Sequence, residues 1–250
     1  MENPNEKRVV GLIGCGAIGT LIAEAVEKKI VNCDKLLLYD HKREKADALQ
    51  KALKFPTAVV KSLDEMLDFQ PKVIVEAASQ QAVRAYVGRI VAANVDVIVM
   101  STGALLGLNV QGSRVHVPPG AIGGLDAIGS ATLTGIDEVV LTSRKNPKAL
   151  GMDNKNAKLV YEGSAEEAAK RFPLGMNVAA TLALTVKPAI VKVQVLSDPT
   201  VHRNTHEIQV RWRFGEMLLR FANDPHPQNP HTSALAAWSA LKLLKTLIET

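Results

Sequence analysis

The feature that most constrains this 250-residue chain is a short glycine loop with a defined context on each side. Val9 to Ile13 is a continuous apolar run, the pattern of a strand buried on both faces of a parallel sheet. Gly14-Cys15-Gly16-Ala17-Ile18-Gly19 follows at once. From Ala17 to about Lys29, Ile18, Leu21, Ile22, Ala25 and Val26 then recur at helical spacing. A second apolar run, Leu36 to Tyr39, ends at Asp40, 21 residues after Gly19. In a strand–loop–helix unit of this kind Gly14 allows the tight turn, Gly16 lets backbone approach a pyrophosphate, and Gly19 lets helix pack on strand. The first amides of the helix then face the phosphates with the positive end of the helix dipole. The reading is a dinucleotide-binding loop, with Gly14, Gly16, Ala17, Ile18 and Gly19 against the cofactor. Asp40 is placed to accept from ribose hydroxyls, which favours NAD, because a 2′-phosphate there would be repelled. His41, Lys42 and Arg43, next in sequence, leave NADP open as a second cofactor.

The alternation continues along the chain. Arg43 to Leu53 reads as helix, Ala58 to Val60 as strand, and Ser62 with Glu65 three residues later as a capping box. Val73 to Val75 and Val95 to Met100 read as buried strands around a helix from Gln80 to Ala93. Such alternation predicts an α/β, Rossmann-type doubly wound parallel sheet. Near Pro118-Pro119-Gly120 the texture changes. Gly120, Gly123, Gly124 and Gly129 mark a hinge or ligand-contacting loop, and beyond it strands alternate apolar and polar residues. Val191, Val193 and Val195 share one face; His206, Ile208, Val210, Trp212 and Phe214 share another, ahead of a hairpin turning at Phe214-Gly215-Glu216. With helices expected near Ala165–Arg171 and Gly175–Val186, this part reads as an α+β domain on a mixed sheet. Residues 1–123 are assigned to the dinucleotide domain and 124–230 to a substrate and dimerisation domain. A final helix, 231–250, with Thr232 or Ser233 as its cap and a stripe of Leu235, Trp238, Leu241, Leu244 and Ile248, is expected to pack back on the first domain.

Composition removes several function classes. A net charge of +5 without a block of like charges, and only ten aromatic residues, argue against nucleic acid as a partner. The apolar run Val178 to Val186 stops at Lys187, far short of a membrane span, and Met1 to Arg8 lacks the apolar segment of a signal peptide. Two cysteines, Cys15 and Cys33, provide neither a disulfide framework nor a metal site, so no metal is expected and a cytoplasmic location is.

In a doubly wound sheet ligands sit at the carboxyl ends of the strands. Three such ends are built of small residues on which a nicotinamide ribose can lie: Glu76-Ala77-Ala78-Ser79, Ser101-Thr102-Gly103-Ala104 and Pro119-Gly120-Ala121-Ile122. Ser79 and Ser101 read equally well as helix caps, and Glu76 receives no catalytic role. Of the six histidines, His206 points by parity to the apolar face of its strand, where it is either a catalytic proton acceptor or a satisfied core residue. His202, four residues earlier on extended chain, does not pair with it as a metal site.

The blocks Glu76-Ala-Ala-Ser-Gln, Ser101-Thr-Gly-Ala-Leu, Gly120-Ala-Ile-Gly-Gly-Leu-Asp126, Phe172-Pro through Asn177-Val-Ala-Ala-Thr181, Asn204-Thr-His206-Glu-Ile208 and Asn229-Pro-His-Thr-Ser-Ala-Leu235 together resemble the L-aspartate dehydrogenase family. The resemblance runs collinearly from about Arg8 to the C-terminus. It implies NAD(P)-dependent oxidation of L-aspartate to iminosuccinate, which hydrolyses to oxaloacetate and ammonia, and which can feed NAD biosynthesis. It also implies that His206 is the active-site residue, that Ala121 and Asn177 contact the cofactor, and that the protein is a homodimer. Two other readings of the residues stay open: a related dehydrogenase of another amino or hydroxy acid, such as homoserine, and a non-catalytic NAD-sensing protein. Lys187, Arg203 and His202 are candidates for holding substrate carboxylates, and each reads equally well as a surface charge.

Overall fold

The computed structural model describes residues 7–108, 113–172, 176–226 and 229–249. The chain divides into two compact units, one running to Pro118 and resuming at Ala237, the other comprising Pro119–Ala236.

The first unit contains β1 (Val9–Ile13), α1 (Ala17–Glu27), β2 (Lys35–Tyr39), α2 (Arg43–Ala52), β3 (Thr57–Val59), α3 (Leu63–Asp68), β4 (Val73–Glu76), α4 (Gln80–Ala92), β5 (Asp96–Val99) and β6 (Val115–His116). Among the described residues these six strands form one parallel sheet in the order β3-β2-β1-β4-β5-β6. The order reverses between β1 and β4, which is the topological switch point of a doubly wound fold. The continuous apolar runs follow from burial on both faces: Leu12, Leu36, Leu37, Leu38, Ile74 and Ile98 are all fully buried. Ser62 caps α3 as its spacing predicts, its Oγ accepting from the Glu65 N–H at 3.2 Å. Glu65 Oε2 reaches back one residue further than in a standard capping box, to the N–H of Lys61 at 2.6 Å.

The second unit holds α5 (Leu125–Thr132), β7 (Ile136–Lys145), β8 (Lys158–Ser164), α6 (Ala165–Arg171), α7 (Asn177–Val186), β9 (Val191–Ser197), β10 (Asn204–Trp212), β11 (Gly215–Asn223), β12 (Pro225–His226) and β13 (Asn229–Ser233). Five of these strands make a mixed sheet in the order β11-β10-β7-β9-β8, in which only β7 and β9 run parallel. Helices α6 and α7 pack on β8 and β9. One face of the sheet is buried through Val139, Leu141, Val191, Val193, Val195, Ile208 and Val210, while Glu138, Lys192, Gln209 and Arg211 on the other are exposed. A last helix, α8 (Ala234–Glu249), lies in the first unit from Ala237 onward, where Lys72 Nζ donates to the carbonyl of Ile248 at 3.2 Å.

Four local readings need correction. Gly129 lies inside α5, where an apolar face including Ile128 and Ala131 outweighs its helix penalty. The shared face of β10 ends at Val210: a register shift between Arg211 and Trp212 turns the strand, and Phe214 sits 66% exposed in a two-residue turn, stacked edge-on against Trp212. The final helix begins at Ala234, not at residue 231, because the stretch before it is taken up by the β12–β13 pair, which runs to Ser233. On α8 the buried stripe is Ala237, Ala240, Leu241, Leu244 and Ile248, with Leu235 and Trp238 partly exposed. Because Leu244 is fully buried, Leu244→Ala is expected to lower the unfolding free energy by about 2–5 kcal/mol, measured by denaturant titration.

Candidate active site

The glycine loop sits at the switch point. A Cβ at Gly14, whose φ is +101°, would lie 2.6 Å from the carbonyl oxygen of Ala77 and 2.8 Å from the amide nitrogen of Ala78. The loop therefore abuts the end of β4, which brings Ala78 beside the predicted cofactor residues. At Gly19 a Cβ would lie 2.0 Å from the Gly14 carbonyl oxygen, so helix and loop touch backbone to backbone. Gly16 differs: a Cβ there would meet nothing within 4 Å. It is the N-cap of α1, with no side-chain cap and no acidic residue in the first turn. The loop thus turns an uncapped helix N-terminus, beginning with Ala17 and Ile18, towards open space, the arrangement a pyrophosphate needs. Asp40 anchors the rim. Its Oδ2 accepts from the N–H of Cys15 at 2.8 Å and its Oδ1 from that of Lys42 at 2.9 Å, with His41 Nδ1 3.2 Å away. The Cys15 thiol, buried and beside Asp40, is pushed up to about 12 and is chemically quiet.

Glu76 is where sequence reasoning assigned nothing and the structure assigns a framework. The side chain is 1% exposed at the end of β4. Its Oε1 accepts from the amides of Ala78 (2.8 Å) and Ser79 (2.9 Å) and from Ser101 Oγ (3.0 Å), and its Oε2 from the amide of Ser101 (3.0 Å). Burial raises its pKa while these four donors oppose the rise. One carboxylate thus ties the loop after β4 to the loop after β5. Ser79 does cap α4, accepting from the Ala82 amide at 3.2 Å; Ser101 instead spends its hydroxyl on Glu76.

In the second unit, His206 is 4% exposed and stands directly opposite Ser143 of β7, whose Oγ lies 2.9 Å from Nδ1. Burial first, and the charge of Lys145 second, push the imidazole down to about 3, so the ring is neutral at physiological pH. Ala121 is nearby in the fold. Its carbonyl accepts from Nδ2 of Asn223 at 2.9 Å, and Asn223 pairs with Asn204, two residues before His206 on the same strand. Gly123 and Gly124 continue that loop along β11, against Phe221 and Leu219. Asn177 opens α7 and is half-buried.

His116 Nε2 donates to Asp96 at 2.6 Å, a partner that sequence reading does not reveal, and Arg114 pairs with the same carboxylate at 2.9 Å. His202 and Lys187 are exposed, and Arg203 is paired with Asp224 at 2.9 Å. Pro173, Leu174 and Gly175, and the side chains of His226, His231 and Thr232, lie outside the described residues. A second buried residue that sequence reasoning passed over is Lys145. It is 5% exposed and lies two positions from Ser143, hence on the same buried face. Its signal was the alternation Val139, Leu141, Ser143, Lys145 along β7, in which the last two inward positions are polar.

A glycine loop of this geometry at the switch point of a doubly wound parallel sheet defines a nicotinamide-dinucleotide-binding protein. Residues 14–115 match the family model described as the NAD binding domain of homoserine dehydrogenase, and residues 126–247 that described as the C-terminal domain of aspartate dehydrogenase. The L-aspartate dehydrogenase of Archaeoglobus fulgidus is 42% identical, over 96% of this chain and 98% of its own; that of Methanothermobacter thermautotrophicus is 40% identical, over 96% of both. The crystal structure of aspartate dehydrogenase from Thermotoga maritima superposes with a TM-score of 0.78 at 30% identity, over 97% of each chain. The chain belongs to the L-aspartate dehydrogenase family.

Two measurements follow from this geometry. Gly19→Ala forces a methyl group against the Gly14 carbonyl and is expected to cost about 1–3 kcal/mol in denaturant unfolding. The second concerns pH. His206 is depressed in the fold, so between its ordinary value near 6.5 and about 3 the unfolded chain binds a proton that the folded chain does not. Stability from this group is complete above pH 6.5 and falls as pH drops towards 3, by several kcal/mol in all. His206→Asn should flatten that part of the stability–pH curve relative to wild type.

Proposed function

We propose that this protein is an NAD(P)-dependent L-aspartate dehydrogenase that oxidises its substrate to iminosuccinate, which water converts to oxaloacetate and ammonia. The observation that carries the reading at the level of chemistry is His206, a buried neutral imidazole held at Nδ1 by Ser143. In the tautomer whose Nδ1–H donates to the serine oxygen, Nε2 carries the lone pair that takes a proton from the substrate ammonium, or from the water that attacks the imine. Ser143 is the positioning residue that holds the ring.

Bound NAD+ supplies the electrophilic carbon that takes the hydride from the substrate Cα. The residues that hold it are those of the glycine loop: Gly14, Gly16 and Gly19 bring backbone close, and the amides at Ala17 and Ile18 meet the pyrophosphate. Asp40, fixed by two backbone amides, receives the ribose hydroxyls and favours NAD, while Lys42 and Arg43 permit NADP. Ala78 offers backbone to the nicotinamide ribose, and its loop keeps its shape through Glu76. Ala121 and Asn177 are the further cofactor contacts that the family resemblance implies. The protein works as a cytoplasmic homodimer, supplying imine to NAD biosynthesis. Two buried free cysteines suit a reducing compartment, and the uncovered sheet face carrying the 69%-exposed Leu218 suits a partner copy.

The test is spectrophotometric: NADH or NADPH production with L-aspartate, homoserine and malate in parallel. Turnover is expected with L-aspartate, and activity confined to another acid refutes the reading. His206→Ala is expected to lower kcat by about 10²–10⁴-fold, with NADH affinity by fluorescence titration unchanged. Unchanged turnover removes His206 from the mechanism.

A further inference from the structure

The loop that leads into α5 lies along one face of β11. Leu219, Phe221 and Asn223 of that strand are half-buried, while Leu218, Arg220 and Ala222 between them are exposed. Each of the three half-buried residues meets one position of the loop. A Cβ at Gly124 would lie 2.3 Å from Leu219 Cδ2, and one at Gly123 would lie 3.4 Å from Phe221 Cε1. At the third position Asn223 Nδ2 donates to the carbonyl of Ala121 at 2.9 Å. Loop and strand therefore run in opposite directions, in contact from Ala121 to Gly124.

The pairing of β11 with β10 sets what this loop stands beside. Phe221 is directly opposite His206, and Asn223 is directly opposite Asn204. On its other side His206 is opposite Ser143. Ser143, His206 and Phe221 thus form one row across three strands, with Gly123 against the Phe221 end of it. The loop has little means of holding its own shape. Three of the five residues from Gly120 to Gly124 are glycine, and Gly120 and Gly124 have φ of +72° and +70°. Ala121 and Ile122 are buried, but hydrophobic burial is non-directional and does not aim a backbone carbonyl. A hydrogen bond is directional, and the Asn223 amide supplies one from a strand in register with His206.

We propose that Asn223 is a positioning residue for hydride transfer, which holds the Ala121 loop at a fixed place beside His206 through its hydrogen bond to the Ala121 carbonyl. This inference rests on the L-aspartate dehydrogenase reading, in which Ala121 contacts the cofactor and His206 takes the proton. In that reaction the hydride leaves Cα for the nicotinamide and a proton goes to the imidazole, so cofactor and base must both reach one substrate molecule. With the loop and the base both referred to β10 and β11, their separation is set by strand register. Asn223 acts through the loop, and the chemistry is left to the cofactor and His206.

The experiment uses the full-length protein with NAD, L-aspartate, and L-aspartate deuterated at Cα. Asn223→Asp keeps the shape of the side chain but replaces the donor with an oxygen that repels the Ala121 carbonyl. Its kcat per NADH-binding site is expected to fall by about 10–100-fold, as for a misplaced reacting group. The KM for L-aspartate, and the NADH affinity by fluorescence titration, should stay within about threefold. Because the Cα–H bond breaks in the hindered step, the deuterium isotope effect on kcat is expected to equal or exceed that of wild type. The melting temperature should shift by no more than about 4 °C, as for one hydrogen bond in a chain of this size. A variant with wild-type kcat overturns the proposal, as does one whose isotope effect drops towards unity or whose loss lies in KM or NADH affinity alone. If Asn223→Asp fails to fold, Asn223→Ala removes the donor without adding a charge and is held to the same criteria. Failure of the underlying reading looks different, because the wild type itself then yields no NADH from L-aspartate.

Discussion

Parallel pairing of β1 with both β2 and β4 is the constraint on which the first unit depends. Parallel strands all end on the same edge, so Ile13 lies beside Tyr39 on one side and Glu76 on the other, with Val99 next in line. The glycine loop, Asp40, and the loops after β4 and β5 therefore have no choice but to gather. Once gathered they are joined by specific bonds: the Asp40 carboxylate to the Cys15 amide, and the Glu76 carboxylate to three backbone amides and a hydroxyl. Two acids thus brace one sheet edge. Asp40 fixes the glycine loop at the rim, and Glu76 is buried and holds the loops after β4 and β5 in place.

The mixed sheet uses a different device. Its buried face is a single surface shared by three strands, and the side chains there change together from valine, leucine and isoleucine to serine, asparagine, histidine and lysine. The apolar end anchors the sheet to its helices by ordinary hydrophobic burial. The polar end inherits that rigidity. Ser143 holds His206 at 2.9 Å because their strands are locked in register by the residues further along. Burial there also sets the chemistry, since the same exclusion of water keeps the imidazole neutral and pushes the Lys145 pKa down.

How much of this could be read without coordinates differs between the units. Val9–Ile13, Leu36–Tyr39 and Val73–Val75 announce themselves as doubly buried strands, and the caps at Ser62 and Ser79 follow from local spacing. β7 is harder to see. It is the strand between β10 and β9, yet two of its inward positions, Ser143 and Lys145, are polar, so periodicity alone hides the half of the strand that matters most. Gly129 misleads in the other direction, as a loop former that the apolar face of α5 overrides. The turn at Arg213 and Phe214 likewise cuts short a face that parity would extend to Phe214.

By itself the sequence determined the class of the first unit and the identity of the family, because both rest on local order: a strand, a glycine turn and a helix within 20 residues, and short blocks in a fixed sequence. It also marked His206 by the parity of its strand. Only the tertiary structure decided what surrounds that histidine. Ser143 and Lys145 come from a strand about 60 residues earlier, and Asn223 reaches Ala121 across about 100 residues of chain. The physical reason is that a single strand specifies which face is buried but not which neighbour it meets. That choice is made by pairing between distant strands, and it is the pairing that places a neutral imidazole and a lysine on one buried face.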